Sequence, residues 1–168
     1  MSDRLAGYIR DEPGRGRSDL TLLLGDASAF REAIRRMADP FRDQGVTKVA
    51  TIDSIGFLFG ASVALELGVG IVLLRKGGKS AWRIRSASYT DYSREEKTLE
   101  IVERAVGPAD RVLLVDDWAE TGSGLKAAFG LVTECEARVI GATVFAADED
   151  VDLGVTPLHA VLRLSPQR

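Results

Sequence analysis

Apolar runs recur along this chain, with stretches of helical period between them. KVATI (48–52), VGIVLLR (69–75), RVLLV (111–115), ARVIGATVFAA (137–147) and HAVLRL (159–164) are dominated by aliphatic side chains. Runs of this kind read as strands buried on both faces, and such strands belong to a parallel sheet covered by helices. Between them, AFREAIRRM (29–37) repeats Phe30, Ile34 and Met37 at helical spacing behind a capping Asp26, with Pro40 just beyond its end. FLFGASVALEL (57–67) and a segment from about Gly124 to Glu134 are further helices. The alternation predicts an α/β, three-layer, Rossmann-like fold with a central, mainly parallel sheet.

Residues outside this frame are assigned more loosely. Residues 2–11 read as a short helix with Leu5, Tyr8 and Ile9 on one side, EPGRGRSD as a loop, and DLTLLL (19–24) as an extended segment. KGGKSAWRIRSASYTDYSREEKT (76–98) is polar and weakly patterned, and reads as a long arm folded as a β-hairpin. A polar segment of that length in a compact domain suits a lid.

The chain has 168 residues, 45% hydrophobic and 28% charged, with a net charge of −3. That is enough for one well-formed core, and it lacks the basic balance of a nucleic-acid binder. Cys135 is the only cysteine, so no intramolecular disulfide is available, which suits a reducing compartment. The opening MSDRLAGYIRDE has no apolar core of the signal-peptide kind, and no run approaches the roughly 20 apolar residues of a membrane span. One cytoplasmic domain is expected. His159, in the last apolar strand, and Cys135 are read as structural.

In parallel α/β sheets, ligands bind where strands end and helices begin. Two turns stand there. In DDWAETGSG (116–124), Thr121, Gly122, Ser123 and Gly124 offer backbone N–H groups and hydroxyls at the positive end of a helix, an anion site suited to a terminal phosphate. Asp116 and Asp117 would repel that phosphate, but they can accept hydrogen bonds from sugar hydroxyls, directly or through magnesium and its waters. The pair describes a ribose 5-phosphate pocket, although an acidic, glycine-rich helix cap has the same composition. In TIDSIG (51–56), Asp53, Ser54 and Gly56 form a tight turn able to hold a second anion, such as a pyrophosphate. Arg75, Lys76 and Lys79 follow a strand at the same rim and either neutralise a polyphosphate or form a solvated basic loop.

These motifs, in this order, resemble the type I phosphoribosyltransferases, and within them the adenine phosphoribosyltransferases. RVLLVDDWAETGSGL looks like the family's phosphoribosyl-diphosphate signature, and ATIDSIGFLFGASVALELGVGIVLLRKGGK is similar to its pyrophosphate turn, helix and basic strand end. SASYTDY followed by LEI resembles the catalytic arm, and GDASAFREAI the early helix. The likeness extends from about residue 8 to 146. It implies transfer of ribose 5-phosphate from phosphoribosyl diphosphate to a ring nitrogen, with pyrophosphate released and Mg2+ assisting, by a protein that is commonly a homodimer. Asp116 and Asp117 would take the ribose hydroxyls, and Thr121 to Gly124, with Glu120 beside them, the 5-phosphate. Asp53, Ser54, Ile55 and Gly56 would form the pyrophosphate turn, in which the family often has a cis peptide. Lys79 would reach the diphosphate. Ser88, Tyr89 and Tyr92 would belong to a lid spanning about 78–99, with Asp91 handling the acceptor proton. Arg17, Ser18 and Asp19 would lie in a base-recognition segment spanning about 1–25.

The chain departs from the family at several of these places. Ile55 replaces an arginine and Gly124 a threonine. Trp118, Ala119 and Glu120 stand where small and apolar residues are common, and Arg17 and Ser18 replace an aromatic-arginine pair ahead of Asp19. Adenine is the acceptor the family implies. A different nitrogen heterocycle, a non-catalytic nucleotide-binding regulator and a hydrolase using water as acceptor are the alternatives these departures leave open.

Overall fold

In a computed structural model of the chain, the residues described are 3–9, 19–78, 82–91 and 94–165. A 3-10 turn at Arg4–Tyr8 opens them, capped by Asp3, whose carboxylate accepts the Leu5 N–H. Two helices follow, α1 (Thr21–Gly25) and α2 (Ala27–Ala38). The rest alternates as β1 (Lys48–Ile52), α3 (Gly56–Leu67), β2 (Gly70–Lys76), β3 (Ile84–Thr90), β4 (Glu96–Val102), β5 (Arg111–Ala119), α4 (Ser123–Glu134), β6 (Arg138–Asp148) and β7 (Leu158–Leu164).

The strands form one sheet in the order β3-β4-β2-β1-β5-β6-β7. β2, β1, β5, β6 and β7 run parallel, and the β3–β4 hairpin adds an antiparallel edge, joining β2 through Arg75↔Glu100 and Lys76↔Leu99. The mainly parallel sheet and the hairpin arm are those the sequence predicts.

The core has two layers. On one face α4 packs Leu125, Ala128, Leu131 and Val132 onto Leu114, Val144 and the hairpin's Leu99 and Ile101. On the other, α2 and α3 cover Leu113, Val115 and Phe145. There the Phe59 ring meets Phe30 edge-on at 5.4 Å and stacks on Phe145 at 6.0 Å, contacts that contribute about 0.5–1.5 kcal/mol each beyond area burial. α3 approaches β1 closely because Gly60 lies over Thr51, where a Cβ would come within 2.3 Å of the threonine Cβ. His159 Nε2 lies 2.9 Å from the Arg36 carbonyl, tying β7 to α2, and Cys135 is buried at the end of α4.

Three expectations need correction. DLTLLL is not extended: the Asp19 carboxylate accepts the Thr21 N–H at 2.8 Å and the Thr21 hydroxyl at 2.6 Å, starting the short helix α1. This turns Leu20 and Leu23 inward and leaves Leu22 56% exposed. β2 is not buried on both faces, since Ile71 and Leu73 are 41% and 42% exposed beside α3. β5 does not stop at Val115; its ladder with β6 carries it through both aspartates to Ala119.

Candidate active site

That extension of β5 makes the site. β1 pairs with β5 only as far as Thr51↔Val115, whereas β6 stays paired to Ala119↔Ala147. Beyond Val115, β5 therefore has a partner on one side only. α3 and α4 leave β1 and β5 toward opposite faces, which opens a crevice at the strand ends. A cleft of about 130 Å³ lies there. It is lined from the β1 side by Asp53, Ser54 and Ile55, from β5 onward by residues 116–125, and from the sheet edge by Lys76, Tyr89 and Asp91.

The β1 turn contains a cis peptide between Asp53 and Ser54. Its first residue is held to the backbone of β2 by two hydrogen bonds: Asp53 N–H donates to the Leu74 carbonyl at 3.0 Å, and the Asp53 side chain accepts the Lys76 N–H through Oδ2 at 3.4 Å. Ser54 and Ile55 are exposed. Gly56 starts α3 against Asp116, and a Cβ there would sit 2.3 Å from Asp116 Oδ1. Only a glycine lets the acidic strand and the turn come this close.

Asp116 and Asp117 differ in setting. Asp117 is 5% exposed, and its N–H donates to Asp116 Oδ1 at 3.0 Å, while Asp116 is half-buried. Past Glu120, Thr121 Oγ1 lies 2.9 Å from Ser123 Oγ and accepts the Ser123 N–H at 3.3 Å. α4 then begins at Ser123, and its first residues, Ser123, Gly124 and Leu125, line the cleft, which brings the positive end of the helix to it. Together these groups can hold a diol at the strand and a dianion at the helix start.

Gly122 has φ +72°, and a Cβ would meet Leu153 Cδ2 at 2.7 Å and Val151 Cγ1 at 3.2 Å. Gly122→Ala is therefore expected to destabilise the fold by about 1–3 kcal/mol. It should also weaken inorganic phosphate binding, with thermal unfolding and calorimetry as the measurements.

The hairpin reaches the same loop. Tyr89 rests on Gly124, with its Cε2 3.6 Å from the position of an added Cβ. Its hydroxyl is pushed above the ordinary tyrosine range by burial first and then by the charges of Asp116 and Asp91, so it remains a neutral donor through the physiological range. Asp91 lines the cleft from the hairpin tip, where Oδ1 accepts the Glu95 N–H at 3.3 Å and Lys97 Nζ lies 3.9 Å from Oδ2.

Other residues singled out in the sequence lie elsewhere. Arg75 is outside the cleft lining, opposite the buried Glu100 of β4. Ser88 is exposed and outside the lining, and Asp19 caps α1. Arg17, Ser18, Lys79 and Tyr92 fall outside the described residues. The lining also includes a side chain noted in the sequence only as a departure, Trp118, whose indole N–H donates to Asp148 Oδ1 at 3.2 Å. Strand alternation two residues after Asp116 is the signal the sequence holds, and it shows only when β5 continues past Val115.

Known proteins share the sequence pattern and the fold of this chain. Residues 24–152 match the family described as the phosphoribosyl transferase domain. The adenine phosphoribosyltransferase of Nitrosococcus oceani is 41% identical over 169 residues, covering 97% of this chain and 94% of that protein. Among solved structures, adenine phosphoribosyltransferase from Rhodothermus marinus superposes with a TM-score of 0.85 at 32% identity, covering 95% of this chain and 96% of that one. The Giardia lamblia enzyme, complexed with 9-deazaadenine, superposes with a TM-score of 0.90 at 30% identity, covering 95% and 96%. By these matches the chain belongs to the phosphoribosyltransferase family, among the adenine phosphoribosyltransferases.

Proposed function

We propose that this chain transfers ribose 5-phosphate from phosphoribosyl diphosphate to adenine, giving the nucleotide and pyrophosphate. The observation that carries the reading is the convergence of Asp116 and Asp117, the Thr121–Gly124 loop and the Asp53–Gly56 turn in one cleft. The loop and the first turn of α4 hold the 5-phosphate, and the acid pair accepts the ribose hydroxyls. The C1–oxygen bond to the diphosphate breaks as the ring nitrogen bonds to C1, through an oxocarbenium-like state. The nearby carboxylates stabilise its positive charge. Asp91, at the hairpin tip, takes the proton lost by the acceptor nitrogen. The turn at Ser54 and Ile55, with Lys76, faces the departing diphosphate. The β3–β4 arm, with Ser88, Tyr89 and Tyr92, acts as a lid and excludes water.

The described residues contain no group of three or more metal-ligating side chains, so they form no dedicated metal cage. Mg2+ usually keeps several waters and takes one or two carboxylates plus substrate phosphates, a donor set that Asp116 and Asp117 fit. When bound, Mg2+ neutralises the diphosphate leaving group. Among the described lining residues Lys76 is the cation, against the carboxylates of Asp53, Asp91, Asp116, Asp117 and Glu120. That balance supports entry of the substrate as its metal complex.

We assign the protein to the cytoplasm as a homodimer. The apolar side chains left exposed along α3 and β2, Leu58, Leu65, Ile71 and Leu73, form the contact face. Sedimentation at micromolar concentration should report twice the chain mass.

The functional test is a panel of bases incubated with phosphoribosyl diphosphate and Mg2+ and followed by pyrophosphate release. Release with adenine is expected. Phosphoribosyl diphosphate binding without release across the whole panel would instead favour a regulator, the reading that Ile55, Gly124 and Glu120 support. Ribose 5-phosphate formed without any base would favour a hydrolase.

A further inference from the structure

We infer that Glu100 is a positioning residue that sets the end of β2 against the leaving diphosphate, an assignment that rests on the transferase reading above and deepens it. β2 and β4 pair through Arg75↔Glu100 and Lys76↔Leu99. Past Lys76 the chain leaves this ladder at Gly77 and Gly78. Gly77 N–H donates to the Thr98 carbonyl at 3.1 Å. Gly78 has φ +83°, a left-handed turn that ends the strand. The acceptor for its N–H is a side chain, Glu100 Oε1, at 2.8 Å. The chain folds tightly round that carboxylate, since a Cβ on Gly77 would lie 3.2 Å from the same Oε1 and 3.6 Å from Thr98 Cβ.

Glu100 is 8% exposed, and its other oxygen, Oε2, is buried with no hydrogen-bond partner among the described residues. Burying a half-satisfied carboxylate costs stability, and an apolar side chain of similar size would fill the space at lower cost. What the charge supplies is a firm hold on the Gly78 backbone, because an N–H bond to a carboxylate is roughly twice as strong as one to a neutral acceptor. That backbone leads directly from the site. Lys76 lines the cleft, and its N–H donates to Asp53 Oδ2 at 3.4 Å. The end of β2 is thus held by the cis turn on one side and by Glu100 on the other. Glu100 belongs to β4, the return strand of the arm, so one carboxylate joins the arm to the strand end that faces the diphosphate. Glu100 itself stands outside the cleft lining and acts through Gly78. The groups for the ribose and its 5-phosphate lie on β5 and at the start of α4, apart from this hold.

The test separates the diphosphate from the rest of the substrate. By calorimetry, Glu100→Leu should weaken pyrophosphate binding in the presence of Mg2+ about 10- to 100-fold, the loss expected for a hydrogen bond to a charged group. Ribose 5-phosphate binding should stay within about twofold of wild type. In turnover, the phosphoribosyl diphosphate KM should rise by a similar factor and the adenine KM by less than about twofold. Glu100→Gln keeps a carbonyl oxygen for the Gly78 N–H, so pyrophosphate binding should recover to within about fivefold of wild type. A general loss of structure would weaken both ligands alike. Unchanged pyrophosphate binding in Glu100→Leu, equal weakening of pyrophosphate and ribose 5-phosphate, or a glutamine variant as weak as the leucine one overturns the assignment. If the leucine variant fails to fold, Glu100→Asp decides, because it keeps the charge and draws the acceptor back by one methylene. Pyrophosphate binding weaker by at least about fivefold then supports the assignment, and unchanged binding overturns it. A wild-type protein that releases no pyrophosphate with any base overturns the transferase reading, while the two calorimetric affinities still judge Glu100.

Discussion

Replacing Asp116 and Asp117 together by asparagine is expected to lower turnover at least about 10³-fold, since a single preorganised electrostatic contact at a transition state already accounts for about 10²–10³. Asparagine keeps the shape of each side chain, so the Asp117 N–H can still reach a carbonyl oxygen at position 116, and Gly56 still has room against it. What disappears is negative charge facing a sugar ring that becomes cationic. The melting temperature should stay within about 4 °C of wild type, because a chain of this size shifts by about 2–4 °C per kcal/mol. Pyrophosphate release and a thermal scan measure the two halves of this result. A double variant with the wild-type rate would sink the assignment of the acid pair, whatever the fold.

Gly60→Ala is expected to lower the melting temperature by about 3–10 °C, against the usual direction for a helix interior. Alanine ordinarily stabilises a helix by about 1 kcal/mol over glycine. At this position the added Cβ would lie 2.3 Å from Thr51 Cβ, 2.4 Å from Oγ1 and 2.8 Å from Cγ2. Thr51 is fully buried, and its hydroxyl donates to the Gly56 carbonyl at 2.5 Å, so it cannot swing aside. α3 must lift from β1, and overpacking of this kind costs about 1–3 kcal/mol. The displacement starts from the helix that begins at the Gly56 turn, so activity should fall further than stability explains. A melting temperature equal to or above wild type would show that α3 has room this packing does not allow.

The two variants probe different kinds of information. The acid pair is contiguous in the chain, and its meaning could be read from RVLLVDDWAETGSG without coordinates. Asp26 as a cap, the helical period through Phe30, Ile34 and Met37, and the apolar strands were legible for the same reason, since each signal lies within a few residues. The segment DLTLLL carries an extended pattern but forms a helix, because the Asp19 carboxylate accepts the N–H and hydroxyl of Thr21. Charge at Asp116 reads as the end of β5, while β6 supplies a ladder on one side that a single run of sequence does not reveal.

The chain's own order of residues determined the alternation of strands and helices and the two turns that carry the chemistry, because periodicity, capping and turn composition are local properties. Tertiary structure alone decided that β1 stops pairing at Thr51 while β5 continues, that Arg75 stands opposite Glu100 outside the cleft, that Tyr89 rests on Gly124, and that Trp118 faces the cleft. Each of those outcomes is a contact between segments far apart in the chain, set by strand register and close packing.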